Sequence, residues 1–246
     1  MLITSRNNPL IKRVLSLRDK KYRREFGAYV IEGVKQVREA VACGCVIEQI
    51  ICSESYTGDV FVPEKTCVVS DGVFEKLSEE CSPQGILAVL SIPECKVSAP
   101  QNNSLMLDGI ADPGNLGTII RTANAAGYTD IYLRNCADPF SSKTVRAAMS
   151  GIFFVRLQIG NLDEIMHALA GITKICADMN GVDIFSYTAP ETFCLIIGNE
   201  ANGVSREVRE MCNVTVKIPM RESCESLNAA VSAGILMYEL TTNRIL

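Results

Sequence analysis

Three clusters combine glycine, amide, hydroxyl and charged side chains in a way that could do chemistry. The first is Asp112-Pro113-Gly114-Asn115-Leu116-Gly117, followed by Arg121. The second is Gly198-Asn199-Glu200-Ala201-Asn202-Gly203. The third is Ile218-Pro219-Met220, followed by Ser226-Leu227-Asn228. Any one of them alone reads as a turn and a helix cap. Each, however, follows an apolar run of strand type (105–107, 192–197 and 214–217), and ligands bind outside the carboxyl ends of the strands in open α/β sheets. Arg121 lies off the stripe formed by Leu116, Ile119, Ile120, Ala123 and Gly127, so it has no core role. It follows a glycine-bearing loop at a helix start, where free N–H groups favour anions.

Other chemistries fit poorly. Gly109, Gly114 and Gly117 lack the Gly-x-Gly-x-x-Gly spacing of a dinucleotide fold, and no Gly-Lys-Ser/Thr occurs. A nucleotide-binding oxidoreductase is therefore a distant third reading. His167 is the single histidine and lies outside the clusters, so no nucleophile–base triad can be built around it. The eleven cysteines form no Cys-x-x-Cys pair. They read as reduced packing residues, with no metal site expected.

The elements that must position these residues alternate strand with helix. Residues 1–24 read as one basic helix opened by Asn8-Pro9. Strands are expected at 28–33, 46–54, 66–70 and 85–92, with helices at 34–43 and 71–77. Residues 93–103 (PECKVSAPQNN) carry two prolines and no periodicity and are read as a linker. Beyond them, strands are expected at 105–107, 129–133, 153–155, 173–177, 192–197 and 214–220. Helices are expected from about 115, at 143–149, 162–170 and 205–212, and from about 226 to 240. That last helix carries two apolar stripes. Leu227, Ala230, Val231, Gly234, Ile235 and Tyr238 form one, and Ala229, Ala233, Leu236, Met237 and Leu240 the other. A helix apolar nearly all round is buried on nearly all sides, and a subunit interface would cover the second stripe, so a homodimer is expected.

Charge is unevenly spread. The chain of 246 residues carries a net −4, yet residues 1–38 hold ten Lys/Arg against three acids. A basic arm on an acidic body suits a polyanion. Arg6, Lys12, Arg13, Lys20, Lys21, Arg23 and Arg24 are the candidate phosphate contacts. No apolar run is long enough to span a membrane and no secretory leader is evident, so a cytoplasmic protein is expected.

At the three clusters the sequence resembles the SpoU branch of the SPOUT methyltransferases, the TrmH family of RNA ribose methyltransferases. DGIADPGNLGTIIRTANAAG is similar to its first motif, LIIGNEANGVS to its second and IPMRESCESLNAAVSAGILMYEL to its third. SRNNPLIKRVLSL, RREFGAYVIEG and SPQGILAVL resemble, more loosely, the family's N-terminal substrate-binding domain of ribosomal-protein-L30e type. The resemblance implies an α/β fold in two parts. A smaller L30e-like RNA-binding domain over 1–92 would precede a linker (93–103) and a SPOUT domain with a parallel sheet and a deep trefoil knot over 104–246. It implies transfer of methyl from S-adenosyl-L-methionine to a ribose 2′-hydroxyl in RNA, with rRNA (23S first) ahead of tRNA. It also implies a homodimer with the site at its interface.

Carried over by motif, the resemblance gives Arg121, Asn115, Glu200, Ser226 and Asn228 to the reaction. Gly198, Asn199, Ile218, Met220 and Leu227 go to the cofactor. A protonated Arg is a poor general base. Arg121 is therefore read as an anchor for the target phosphate and a stabiliser of developing alkoxide charge. In KTVRAAMSGIFF (143–154) the chain departs from the family, because Ala148 and Ser150 stand where Ser and Gly are usual. The competing reading is a non-catalytic RNA-binding or ribosome-assembly factor of the same fold. The complete motif set speaks against it, and uptake of cofactor would decide between the two.

Overall fold

The structure is a computed structural model that describes residues 2–245, with side chains to residue 241. The chain divides into two compact units, Met1–Pro93 with Phe140–Phe153, and Glu94–Pro139 with Phe154–Leu246.

The first unit opens with β1 (Leu2–Ile3), α1 (Pro9–Ser16) and α2 (Lys20–Phe26). There are two helices where the sequence suggested one. Asn8 caps α1 and Pro9 begins it, but Asp19 accepts from Lys21 N and starts a new helix. Arg23 then points inward. It is 4% exposed, and its Nη1 donates to Leu17 O and Arg18 O, both at 2.7 Å. Satisfying carbonyls at the break between the helices is a structural duty. The expectation that Arg23 contacts RNA is therefore corrected. Next come β2 (Ala28–Glu32), α3 (Val34–Ala42), β3 (Ile47–Ser53), β4 (Thr66–Val69), α4 (Asp71–Leu77) and β5 (Ile86–Ser91). The sheet runs β1-β4-β3-β5-β2, with β5 antiparallel to both its neighbours. Ile11, Val14 and Leu17 pack with Ile51, Phe74, Leu77 and Leu87, so the apolar side of the basic arm is docked while Lys12, Lys20, Lys21 and Arg24 face out.

The second unit holds β6 (Ser104–Asp108), α5 (Pro113–Ala125) and β7 (Asp130–Arg134). The chain then leaves this unit. α6 (Ser142–Ala148) and a 3-10 turn over Met149–Phe153 cluster with residues 1–93. The sequence had assigned them to the C-terminal domain, and no periodicity could reveal where so short a helix docks. The strand expected at 153–155 lies later, as β8 (Arg156–Ile159). There follow α7 (Leu162–Ala168), β9 (Thr173–Asp183), β10 (Phe193–Gly198), α8 (Arg206–Arg209), β11 (Val214–Lys217) and α9 (Ala229–Ile245).

The sheet order is β11-β9-β10-β6-β7-β8, and every pair is parallel. Burial on both faces explains the unbroken apolar runs of β6 and β10. Met106, Cys194 and Ile196 pack on the α7–α8 side with Ile165, Leu169 and Val208. Their alternate neighbours Leu105, Leu107, Leu195 and Ile197 face the other side, where α5 packs against α9.

Residues 94–103 are no loose tether. Tyr132 Oη donates to Ser98 O at 2.7 Å, Ser98 N to Gln158 Oε1 at 2.6 Å, and Gln101 N to buried Asp130 at 3.0 Å. The segment straps β7 to β8 from within the second unit. Among the described residues no helix is long and apolar enough to cross a membrane.

Candidate active site

Parallel pairing of β10 with β6 puts Gly198 opposite Asp108, so the first two clusters leave the sheet side by side. Asp108 is buried and fixes both exits. Its Oδ1 accepts from Arg134 Nη1 at 2.7 Å and its Oδ2 from Ser205 N at 2.9 Å. Arg134 also donates to Ser205 Oγ at 3.0 Å and to Glu207 at 2.8 Å. Beneath the first exit Cys136 donates to Leu107 O and Arg134 O. Burial pushes its thiol up to about 11, which suits a packing group and not a nucleophile.

After Gly198 the chain makes a tight hairpin. Asn199 N donates to Gly203 O at 2.9 Å and Gly203 N to Asn199 O at 2.8 Å. The Asn199 side chain organises the turn. Its Oδ1 accepts from Ala201 N and Asn202 N, and its Nδ2 donates to Gly109 O at 2.8 Å. A methyl on Gly198 would overlap the backbone of Gly203 and Val204, so glycine is required by close approach.

Asn115 ties the clusters together. The helix that carries it starts two residues earlier than the sequence suggested, at Pro113, with Asp112 accepting from Asn115 N at 2.8 Å. Asn115 Nδ2 donates to Glu200 Oε1 at 2.9 Å, and its Oδ1 accepts from Asn228 Nδ2 at 2.9 Å. Asn228 Oδ1 in turn accepts from Ala230 N and Val231 N, capping α9. One unbroken chain of hydrogen bonds thus joins all three clusters.

Beside this chain lies a cavity of about 470 Å³, the size of an ordinary small-molecule site. Gly198, Asn199, Ile218, Met220 and Leu227 all line it, as do Glu200 and Ser226. Asn115, Asn228 and Arg121 do not. Arg121 is exposed on α5, and among the described residues it has no hydrogen-bond or ion-pair partner. A wall the sequence did not foresee comes from β9. Cys176 pairs with Thr215 and Val182 with Val216, the next residue of β11, so residues 177–181 bulge from the ladder. Ala177, Asp178, Met179 and Asn180 line the cavity from that bulge. The sequence reading also missed Asp108, Arg134 and Arg209; the polar ending of the apolar run at Asp108 was the only available signal. Among the described residues no cluster of three or more His, Cys, Asp or Glu is placed to hold a metal ion.

The parallel sheet, the cavity at its carboxyl edge and the linked clusters define a class, and comparison with known proteins gives it a name. Residues 102–238 match the SpoU rRNA Methylase family and residues 8–88 the MRM3-like substrate binding domain. The chain belongs to the SpoU rRNA Methylase family. It is 34% identical to the 23S rRNA (guanosine(2553)-2'-O)-methyltransferase RlmP of Bacillus subtilis, over 97% of this chain and 98% of that one. It is 28% identical to the 23S rRNA (uridine(2479)-2'-O)-methyltransferase of Streptomyces viridochromogenes, over 99% and 92% of the two chains. A solved AdoMet-bound rRNA methyltransferase from Sinorhizobium meliloti superposes with a TM-score of 0.90 at 27% identity, covering 99% of this chain and 98% of that one.

Proposed function

We propose that this protein methylates a ribose 2′-hydroxyl in rRNA, 23S rRNA first, with S-adenosylmethionine as methyl donor. The observation that carries the reading is the chain Glu200–Asn115–Asn228 at the rim of a cavity lined by all five residues expected to hold the cofactor. The cavity suits an adenosine. Ile197, Ile218, Leu227, Ala229 and Leu236 offer apolar contact, and the Asn199–Gly203 hairpin presents backbone groups to it. When bound, the cofactor supplies an electrophilic methyl sulfonium.

The residues of the chain then have separable tasks. Glu200, Asn115 and Asn228 hold the loops and the α9 start in fixed relation, and alignment of this kind supplies much of the rate. Arg121 anchors the target phosphate and stabilises alkoxide charge as the hydroxyl loses its proton. Ser226 contributes a hydroxyl at the cavity wall. Arg6, Lys12, Lys20, Lys21 and Arg24, all exposed, meet RNA phosphates. Arg13 is partly engaged by Glu48 and contributes less.

The protein works as a homodimer in the cytoplasm, and its C-terminal part is knotted. What supports the dimer is α9. Ala233, Leu236, Met237 and Leu240 are buried within the chain, while Val231 and Tyr238 of the other stripe stay 51% and 46% exposed. A site completed at an interface also explains why Arg121 stands clear of the cavity of its own chain. The test of the function is methyl incorporation into rRNA by Arg121→Ala. A folded variant with at least a hundredfold lower rate is expected, and an unchanged rate would remove Arg121 from the reaction.

A further inference from the structure

The cavity has two walls that the sheet does not hold in place. One is the β9 bulge, residues 177–181, which no step of β11 spans. The other is the hairpin loop 199–203, which carries Glu200. A short helix, α8, follows the hairpin, and Arg209 sits on its last turn. Arg209 does not line the cavity, yet one of its nitrogens reaches the β9 bulge and the residue that directly follows the hairpin. Nη2 lies 3.1 Å from Asp178 Oδ2 and donates to Val204 O at 3.0 Å.

Both contacts fall on organising points. Asp178 turns the bulge, since its Oδ1 accepts from Asn180 N at 3.0 Å and Asn180 Nδ2 at 3.1 Å. Its side chain is only 14% exposed. Gly181 closes the bulge against β11, where an added Cβ would lie 2.6 Å from the Thr215 carbonyl. Val204 is buried and ends the hairpin. The helix bearing Arg209 is itself anchored at its start, through Ser205 N on Asp108 at 2.9 Å.

We propose that Arg209 is a positioning residue for cofactor binding: its guanidinium, shared between Asp178 and the Val204 carbonyl, staples the β9 bulge to the 199–203 hairpin and keeps the cofactor cavity preformed. The inference rests on the methyltransferase reading for the identity of the ligand. Its content is that binding, and not the chemical step, depends on a cation outside the cavity. A guanidinium nitrogen suits the task because Nη2 holds its two N–H donors in fixed in-plane directions, one for each partner, whereas a lysine ammonium offers a point charge. If removing the staple leaves the walls correctly placed one-tenth of the time, the apparent Kd rises about tenfold.

The test is calorimetric titration of S-adenosylhomocysteine into the full-length protein, its Arg209→Ala, Arg209→Lys and Arg209→Gln variants, with methyl-transfer kinetics and melting curves alongside. Arg209→Ala and Arg209→Gln are expected to raise Kd, and the KM for S-adenosylmethionine, about tenfold, with kcat at saturating cofactor within about twofold of the parent. Arg209→Lys recovers part of the loss. Should Arg209→Ala fail to fold, Arg209→Gln carries the same readout, because it keeps a polar side chain on the helix and removes the charge shared between Asp178 and the Val204 carbonyl. Unchanged Kd in the variants, or a fall in kcat with KM unmoved, overturns the staple. Failure of the parent protein to bind S-adenosylhomocysteine overturns the cofactor reading instead.

Discussion

Asn228 Nδ2 donates to Asn115 Oδ1 at 2.9 Å across 113 residues of sequence, and Asn115 passes the constraint on to Glu200. Neither end of the amide is spare. Asn115→Ala removes both bonds at once, and Asn115→Asp turns a donor into an acceptor facing the Glu200 carboxylate. Because both bonds lie at the exposed rim and Asn115 is only half-buried, the fold should tolerate either change. Misplacing loops by about 1 Å can cost on the order of a hundredfold in rate. Methyl incorporation should therefore drop by roughly ten- to a hundredfold in Asn115→Ala, and further in Asn115→Asp, with melting temperatures near the parent's. Equal activity of Asn115→Asp and the parent would remove the amide bridge from the mechanism.

Two glycines bracket the same hairpin for different reasons, so their alanine variants separate two effects. Gly203 has φ 66 and nothing within 4 Å of an added Cβ, so Gly203→Ala meets backbone strain alone, about 1–2 kcal/mol. Gly198 lies in a strand, but its Cβ would overlap the Gly203 and Val204 backbone. Gly198→Ala forces the hairpin off the sheet edge, costing about 1–3 kcal/mol or more. Chemical denaturation should rank the variants in that order, and only Gly198→Ala should also abolish S-adenosylhomocysteine binding. The reverse ranking would mean that conformation, not close approach, fixes the hairpin.

The basic arm makes a prediction that the sequence would have got wrong. Arg23 and Lys21 sit two residues apart in one charge run, yet Arg23 is buried on two carbonyls and Lys21 is exposed. Arg23→Ala should lower stability by about 1.5–3 kcal/mol, the value of hydrogen bonds to a charged donor. Lys21→Ala should leave the melting curve alone. It should weaken RNA binding and reduce the slope of log K against log salt by roughly 0.7–0.9. Fluorescence anisotropy of an rRNA fragment across a salt series checks both. A Lys21→Ala slope equal to the parent's would place the RNA elsewhere.

How much of this was legible beforehand depended on range. The parallel strands were readable because burial on both faces leaves unbroken apolar runs such as 105–107 and 193–197. The clusters stood out because glycines, amides and charges at strand ends have few core uses. Partners far away in sequence were not readable. Arg209 on Asp178, Arg134 on Asp108 and Arg23 on its own helix break look, as letters, like surface charges. The β9 bulge was hidden too, since DMNG (178–181) reads as an ordinary turn and only its register against β11 makes it a wall. Residues 94–103 looked like a tether because prolines and polar residues mark a lack of periodicity, which says nothing about side-chain anchors such as Gln158 and Tyr132.

The exposed stripe of α9 tests the dimer directly. Val231→Glu places a charge on a face that is open in the single chain, so folding should survive. A charge buried unpaired at an interface costs several kcal/mol, enough to shift a dimer to monomers at micromolar concentration. Light scattering should report half the parent mass, and methyl transfer should fall with it. A Val231→Glu protein that keeps the parent mass and rate would place the interface on another surface.

Alkaline pH should expose the packing role of the cysteines. Burial raises the thiols of Cys52 and Cys136 to about 11 and that of Cys194 to about 12, from an ordinary 9.0. The folded protein holds them neutral where the unfolded chain would ionise them. Their contribution is thus fully present below pH 9 and is lost as pH climbs through 11 to 12. Melting temperature should be flat from pH 7.5 to near 9 and fall beyond it. Because lysines and tyrosines titrate in the same window, the decisive comparison is Cys52→Ala with Cys194→Ala. Each leaves a small cavity that lowers the whole curve, but the double variant should fall less steeply above pH 9. In the parent at pH 7.5, iodoacetamide should modify the exposed Cys81 and Cys224 and leave Cys52 and Cys194 intact. Cys224 labelling should slow when S-adenosylhomocysteine occupies the cavity, since its neighbours Glu225 and Ser226 form part of the wall. Rapid labelling of Cys194 in the folded protein, or an unchanged slope in the double variant, would show that these thiols are not held neutral by burial.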